Sequence, residues 1–205
     1  IEKDQLDWVV SDRSVVNQDL SKVISHHSYE HFMADPISVA ISEVITSGNP
    51  LYKKSAVTKV GGYTPELIVG QDWDFHLKLI LAGTKFGYVA GDYFHSRTVE
   101  GSLSSNWFTV SKTLCSLIKS YKIAFIENDV LTKRVALTKI HQVYFFTAIA
   151  AKDTILLEDC KQELGFWTKN INLSKSLSGP NKMLCQLLGW PITIKIRRFF
   201  SKKFD

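Results

Sequence analysis

Two carboxylates lie close together in the segment Gly-Gln-Asp-Trp-Asp at residues 70–74, and no other side chains of this sequence are better suited to chemistry. Apolar residues follow at helical spacing, so residues 72–82 predict a helix with one apolar face. The first turn of a helix stabilises negative charge because the backbone dipole is positive there. Asp72, beside the ring of Trp73, could therefore take a proton from a sugar hydroxyl while the ring packs against the sugar. A structural interpretation, with Asp72 capping the helix and Trp73 in the core, fits the same residues.

The elements that must position this helix are short strands and a tight corner. Residues 8–12 predict a buried strand, and residues 85–97 predict one or two strands rich in Phe, Tyr and Val. Between them, extended segments at 44–46 and 51–54 flank a glycine-asparagine-proline corner. This half of the sequence therefore predicts an α/β fold with mixed short strands.

The second half of the sequence is helical. Apolar residues recur at helical spacing and predict helices over residues 107–121, 129–152, 153–164 and 191–204. Gly165 is expected to end the third of these helices. We therefore divide the chain into an α/β region, residues 1–104, and a mostly α-helical C-terminal region, residues 105–205.

The composition is that of an ordinary globular protein, with 45% hydrophobic and 22% charged residues among 205. No apolar run reaches the roughly 18 residues that a membrane-spanning helix needs. The net charge is +5, and much of the excess lies at the C-terminus, where nucleic acid, an anionic membrane or a solvated face could explain it. Because the sequence begins with Ile1 rather than methionine, we expect it to be a piece of a longer protein.

Neither the cysteines nor the histidines form a recognisable set of metal ligands. The cysteines are odd in number and far apart, so we expect buried thiols in a reducing compartment; they are Cys115, Cys160 and Cys185. The histidines of the first region are His26, His27 and His31, and on a helix the last two would share one face. No cysteine or fixed carboxylate completes a ligand set with them, so we interpret them as a surface or loop cluster.

Four segments, taken in their order and spacing, resemble glycosyltransferase family 2. They are Ser-Gly-x-x-Leu-Tyr-Lys-Lys, Val-Gly-Gly-Tyr-Thr-Pro-Glu-Leu, Gly-Gln-Asp-Trp-Asp-Phe-x-Leu-Lys-Leu, and Arg97 followed by Glu-Gly-Ser-Leu-Ser. The resemblance covers residues 44–104 and, more weakly, residues 8–19. It implies the acceptor-side half of the Rossmann-related GT-A fold, with a helical C-terminal extension over residues 105–205.

The resemblance implies an inverting glycosyltransferase that uses a nucleotide-diphospho-sugar and transfers the sugar to a saccharide or a lipid-linked acceptor. In this family the aspartate at the position of Asp72 is the general base that deprotonates the acceptor hydroxyl. Asp74 is the second candidate for that role, although a structural role in the helix fits it equally well. The residues expected to bind the acceptor are Gly48, Asn49, Trp73 and Arg97.

Three positions depart from the family pattern. Gln71 replaces a glutamate, which removes a charge next to Asp72 and lowers the cost of ionising it. Lys78 replaces an arginine and is a poorer bidentate partner. Val99 stands where the family often has a histidine, and His95 lies close enough in sequence to serve instead.

The donor side of such an enzyme is missing from this sequence. The family binds its nucleotide-sugar on an N-terminal βαβ half and holds a divalent metal, Mg or Mn, through an Asp-x-Asp motif. No such motif precedes Trp8, and Asp72-Trp73-Asp74 lies in the acceptor motif, so we assign no metal ligand within the chain. We expect the metal ligands to lie mostly outside this chain and the chain alone to be inactive.

Other partners and functions follow from the same residues. A non-catalytic carbohydrate-binding or interaction module on the same half-fold is the alternative function. Nucleic acid is not an expected partner, because no aromatic-basic sheet or recognition motif accompanies the basic tail. Residues 191–204 form an amphipathic pattern in which Ile192, Ile196, Phe199 and Phe200 oppose Lys195, Arg198 and Lys202. Such a helix could contact a membrane peripherally, so we expect a cytoplasmic protein or one held on the inner face of the cell membrane.

Overall fold

The structure is a computed structural model that describes residues 5–102, 106–169 and 176–201. Its contacts divide the chain into two compact units, Ile1–Asn106 and Trp107–Asp205. The first unit combines strands with helices, and the second is helical. This confirms the predicted fold class, α/β with a mostly helical C-terminal region.

The sheet of the first unit is organised around one strand. β1 (Trp8–Val16) pairs in parallel with β4 (Phe86–Arg97) along its whole length. On its other side, β1 pairs antiparallel with β2 (Val23–His27) and with the short β3 (Leu51–Tyr52). The strands predicted over residues 8–12 and 85–97 are confirmed, whereas the extended segment predicted at 44–46 is irregular and pairs with no described strand.

Three α-helices accompany this sheet: α1 (Pro36–Ser42), α2 (Lys54–Lys59) and α3 (Gln71–Leu81). α3 confirms the helix predicted over residues 72–82. It begins after Gly70, whose φ of 81° is a left-handed conformation that glycine adopts without steric cost.

The histidines of this unit lie in different elements. His27 ends β2, whereas His31 lies in the 3-10 helix Glu30–Met33, so the two do not share a helix face. His31 Nε2 instead lies 2.7 Å from Glu43 Oε1 at the surface. Among the residues that the structure describes, no group of His, Cys, Asp and Glu is arranged to hold a metal ion.

Aromatic rings form the core between the sheet and the helices. Trp8 is fully buried, with its ring centroid 5.2 Å from that of Phe86 and 5.6 Å from that of Phe32. Its indole N–H donates to Thr84 Oγ1 at 3.0 Å, which satisfies the one polar group of a buried ring. The start of β1 is therefore fixed against the residues that follow α3.

The second unit contains five helices in its described residues. They are α4 (Trp107–Ser120), α5 (Lys122–Glu127), α6 (Arg134–Ala150), α7 (Thr154–Trp167) and α8 (Gly179–Ser201). α6 is the central helix, and it packs against α4, α7 and α8. None of the described helices is both long enough and apolar enough to cross a membrane.

Helix boundaries differ from the prediction at three places. The helix predicted over 129–152 begins only at Arg134, because Asp129 is left-handed and a 3-10 turn, Val130–Thr132, intervenes. Gly165 does not end α7, which continues to the buried Trp167. The last helix starts well before residue 191 and is interrupted by a non-helical Gly189; the end of its predicted range, residues 202–204, lies outside the described residues.

The cysteines confirm one prediction. Cys115, Cys160 and Cys185 are all buried and free. The side-chain hydrogen bond with Cys115, together with burial, raises the pKa of the Cys160 thiol. These thiols therefore act as packing groups of the helical unit.

Candidate functional site

The N-terminal turn of α3 carries the candidate base. Asp72 is the second residue of this helix and is half-buried. Burial raises the pKa values of Tyr52 and Tyr63, and the negative charge of Asp72 adds to this in both cases. The carboxylate therefore lies within electrostatic range of two phenol groups from two other sequence segments.

A buried histidine holds this turn against the sheet. His76 Nδ1 lies 2.7 Å from the backbone oxygen of Asp72, and His76 Nε2 lies 2.7 Å from the hydroxyl of Tyr52. Since a carbonyl oxygen can only accept, Nδ1 carries the hydrogen and Tyr52 donates to Nε2. Burial lowers the pKa of His76 to about 4, although the backbone oxygen and charge of Asp72 partly oppose this. The neutral ring thus couples α3 to β3.

Tyr63 is the exposed aromatic ring at the site. It is 41% exposed, and its ring lies 4.4 Å from the ring of Phe75, centroid to centroid. Its hydroxyl interacts with the side chain of Ser47, which precedes the Gly48 corner. The glycine turn before Tyr63 uses left-handed φ values of 75° and 69° at Gly61 and Gly62. This turn therefore brings Tyr63 between the corner and the start of α3.

The second carboxylate of the pair, that of Asp74, is engaged by other side chains of the protein. Asp74 is buried, and its Oδ2 lies 2.9 Å from Lys78 Nζ and accepts a 2.6 Å hydrogen bond from Thr64 Oγ1. Lys78 also donates to Thr64 Oγ1 and, at 3.4 Å, to the backbone oxygen of Gly62. Asp74 and Lys78 therefore attach the glycine turn to α3, which favours the structural role for Asp74.

Trp73 does not face the site. It is 3% exposed, and its indole N–H donates to the backbone oxygen of Ile41 at 3.1 Å. The prediction that its ring packs against a sugar is wrong, because helix packing leaves almost none of the ring accessible. Tyr63, which the sequence reasoning missed as a ligand-facing ring, is the exposed aromatic residue near Asp72. Its position directly after a Gly-Gly pair was the signal that could have identified it.

The corner residues expected to bind the acceptor lie in the wall of a cleft. Asn49 is buried, and its side chain accepts hydrogen bonds from the Ser11 hydroxyl at 2.8 Å and the Ser11 N–H at 3.3 Å. Its amide group donates to the Ser11 backbone oxygen at 2.8 Å. Asn49 thus extends the pairing of β1 beyond the end of β3, and its polar groups are occupied by protein.

Gly48 approaches a ring of β4. A Cβ at this position would lie 2.9 Å from Phe94 Cε2, closer than side-chain atoms normally come. The cleft beside it has a volume of about 360 Å³, and its walls include Val10, Ser11, Gly48, Asn49, Tyr93 and Phe94. The absence of a side chain at Gly48 therefore allows the corner to pack closely on β4 at the edge of this cleft.

Arg97 lies elsewhere on the sheet. It is exposed at the end of β4 and pairs with Val16, whereas Tyr52 pairs with Trp8 at the opposite end of β1. The two pairs are separated by the length of β1, about 26 Å at roughly 3.3 Å per residue. The role predicted for Arg97 in acceptor binding stays a prediction.

His95, considered as a substitute for the family histidine, belongs to a polar cluster on the sheet surface. Its Nε2 lies 3.3 Å from Asp92 Oδ2. The Ser14 hydroxyl donates to the same carboxylate and lies 2.7 Å from His26 Nδ1. The hydrogen bond from Ser14, with a smaller contribution from the charge of His95, holds the pKa of Asp92 below its usual value. His95 is therefore engaged by a neighbour on its own strand.

Comparison of the chain with protein-family models, curated proteins and solved structures found no match. A functional assignment therefore has to rest on the residues and geometry of the site.

Proposed function

We propose that this chain is the acceptor-side part of an inverting glycosyltransferase of the GT-A type, similar to family 2, with Asp72 as its general base. The observation that carries the proposal is the environment of Asp72. Asp72 is partly exposed at the positive end of α3 and lies near the exposed ring of Tyr63, while the neighbouring Asp74 is buried and held by Lys78. Asp74 is thus structural, which leaves Asp72 as the candidate base of the pair.

The convergence of the resembling segments supports the same proposal. Tyr63 of the Val-Gly-Gly-Tyr segment interacts with Ser47 of the Ser-Gly segment. Tyr52 of the Ser-Gly segment contacts His76 of the segment that carries Asp72. Three segments that resemble the family in sequence order therefore meet in space around one carboxylate.

The proposed reaction needs only a base and an acceptor surface from these residues. The acceptor sugar packs on Tyr63 with one hydroxyl directed at Asp72. As Asp72 accepts the hydroxyl proton, the oxygen forms a bond to the anomeric carbon of the donor sugar. The bond from that carbon to the nucleotide diphosphate breaks on the opposite face, the diphosphate leaves with the electron pair, and the configuration at the anomeric carbon inverts.

The Asp-x-Asp letters of this chain do not fit the divalent metal of such enzymes. They occur at Asp72-Trp73-Asp74, but Asp74 is buried against Lys78 and Thr64, so its carboxylate is already neutralised. The proposal places the donor sugar and most ligands of the metal, Mg or Mn, on residues outside this chain.

The decisive experiment compares sugar transfer by wild type, Asp72→Asn and Glu66→Gln in a protein that carries this chain with its upstream residues. Donor turnover is followed as release of nucleotide diphosphate, with a panel of nucleotide-sugars and simple glycosides. We expect Asp72→Asn to lower kcat by about 10²- to 10⁴-fold, the usual contribution of a general base. Glu66 is an exposed carboxylate of the neighbouring loop and serves as the matched control. Undiminished transfer by Asp72→Asn would rule out the base assignment.

A non-catalytic saccharide-binding module is the second candidate, and the cleft beside Gly48 with the exposed Tyr93 favours it. Saturation-transfer NMR of the chain with methyl glycosides would detect such binding directly. Binding that is lost in Tyr93→Ala, combined with no transfer by any longer form, would favour the module over the enzyme.

A further inference from the structure

The last helix of the chain packs against α6 through a mixed set of side chains. In its second half, Thr193 and Ile194 are fully buried. The Arg198 guanidinium donates to the backbone oxygens of Ala148, at 2.9 Å, and Ala151 at the C-terminal end of α6. Arg198 is thus an internal cap for α6 rather than a residue of an exposed basic face.

Several large apolar side chains of the same helix face solvent. Phe199 is 62% and Phe200 52% exposed, and Ile192 lies seven and eight residues before them on the same face. Before the break at Gly189, Leu187 is 72% exposed and two further apolar side chains are open to solvent. We define the outer stripe of α8 as Met183, Leu187, Leu188, Ile192, Phe199 and Phe200. Three of these residues precede the break at Gly189 and three follow it. Scattered apolar side chains are normal on a surface, but several large ones exposed along one helix indicate an interaction site.

The sequence of this helix and the residues after it is basic. Residues 182–203 contain neither aspartate nor glutamate and six lysines and arginines: Lys182, Lys195, Arg197, Arg198, Lys202 and Lys203. Arg198 is turned inward to α6, so its charge does not belong to the exposed face. Lys195 lies exposed within the stripe itself, three residues after Ile192. A partner for this face must therefore be apolar in its interior and anionic at its surface.

We propose that the outer stripe of α8 lies on an anionic lipid surface, with its phenylalanines below the headgroups and its lysines among the phosphates. Such a helix binds in the plane of the interface, and both its apolar area and its positive charge contribute to affinity. A second copy of the chain would bring like charges together across the contact, which disfavours it as the occupant. This proposal does not depend on the transferase activity.

The test measures co-sedimentation of the whole chain with vesicles of phosphatidylcholine alone or mixed with phosphatidylglycerol. We expect binding to the mixed vesicles and weakening with salt. Phe199→Ser with Phe200→Ser should reduce the partition coefficient by at least about tenfold, from the apolar surface lost. Leu187→Ser should reduce it by a smaller factor, and Lys195→Glu by roughly fivefold or more from the reversed charge.

The control is Ile155→Ser, because Ile155 is 83% exposed on α7 and lies outside the stripe. This variant should bind the mixed vesicles like wild type. The proposal is overturned if wild type does not bind the mixed vesicles, or if the stripe variants bind as well as wild type. A dimer in sedimentation velocity that Phe199→Ser with Phe200→Ser dissociates, without vesicle binding, would identify a second copy as the occupant.

Discussion

His76 should make the first unit sensitive to acid in a narrow pH range. Its folded-state pKa is lowered to about 4 by burial, against a usual value of 6.5. Between these values the unfolded chain binds a proton on this imidazole that the folded chain does not, so the free energy of unfolding falls as the pH falls. Each pH unit within this range costs about 1.4 kcal/mol, and the accumulated loss at about pH 5 is about 2 kcal/mol.

The assay is urea unfolding at about pH 7.5 and about pH 5, followed by tryptophan fluorescence. Trp8 is a suitable reporter, since its ring lies 5.6 Å from that of His76. His76→Gln removes the titrating group and should be less stable than wild type at neutral pH, because the bonds to Tyr52 and to the Asp72 backbone oxygen are lost or weakened. On acidification, however, the free energy of unfolding of this variant should fall by about 2 kcal/mol less than that of wild type.

The control is His31→Gln, which removes an exposed histidine of the same unit. This variant should keep the acid sensitivity of wild type. Equal losses of stability on acidification in wild type and His76→Gln would refute the reasoning, since His76 could then not be the group that must stay neutral.

Three further predictions concern packing and hydrogen bonding. Lys78→Met should destabilise the first unit by roughly 3 kcal/mol in urea unfolding, because it removes the cation that pairs with the buried Asp74 carboxylate. The double variant with Asp74→Asn should recover part of this lost stability, and no recovery would contradict the reasoning. Gly48→Ala should lower the unfolding free energy of the first unit by roughly 1–2 kcal/mol, because the new Cβ would be too close to the Phe94 ring. The same substitution in a Phe94→Leu background should cost less, and an equal cost would contradict this reasoning. Arg198→Ala should lower the unfolding free energy of the second unit by about 2–3 kcal/mol, because it removes charged donors from two helix-end carbonyls; an unchanged denaturation midpoint would count against this.

Local patterns predicted the elements that carry the site. α3 was predictable because its apolar spacing, the glycine before it and the glycine after it all indicate the same helix. β1 was predictable from its tryptophan and valines, and β4 from its Phe, Tyr and Val content. The ion pair between Asp74 and Lys78 was also predictable, because oppositely charged residues four positions apart on a helix are expected to interact.

Contacts between distant segments could not be predicted in the same way. Asn49 bonds to Ser11 across 38 residues, and no local pattern identifies such a partner. For α8, helical periodicity predicts an apolar and a basic face but not which residues pack inward. Carbonyl oxygens at the end of α6 accept hydrogen bonds from Arg198, and no local pattern identifies that contact.

The central position of β1 has a consequence for how the first unit folds. All other strands of the described sheet hydrogen-bond to β1, and its longest partner, β4, comes from the far end of the unit in sequence. Joining β1 to β4 therefore requires closing a loop that contains almost every other element of the unit, which slows folding relative to a chain with local contacts. The helical unit, whose neighbouring helices are mostly close in sequence, can form its contacts earlier. We expect backbone amides of β1 to be the slowest in the first unit to exchange their hydrogens with solvent, because they are released only when the whole sheet opens.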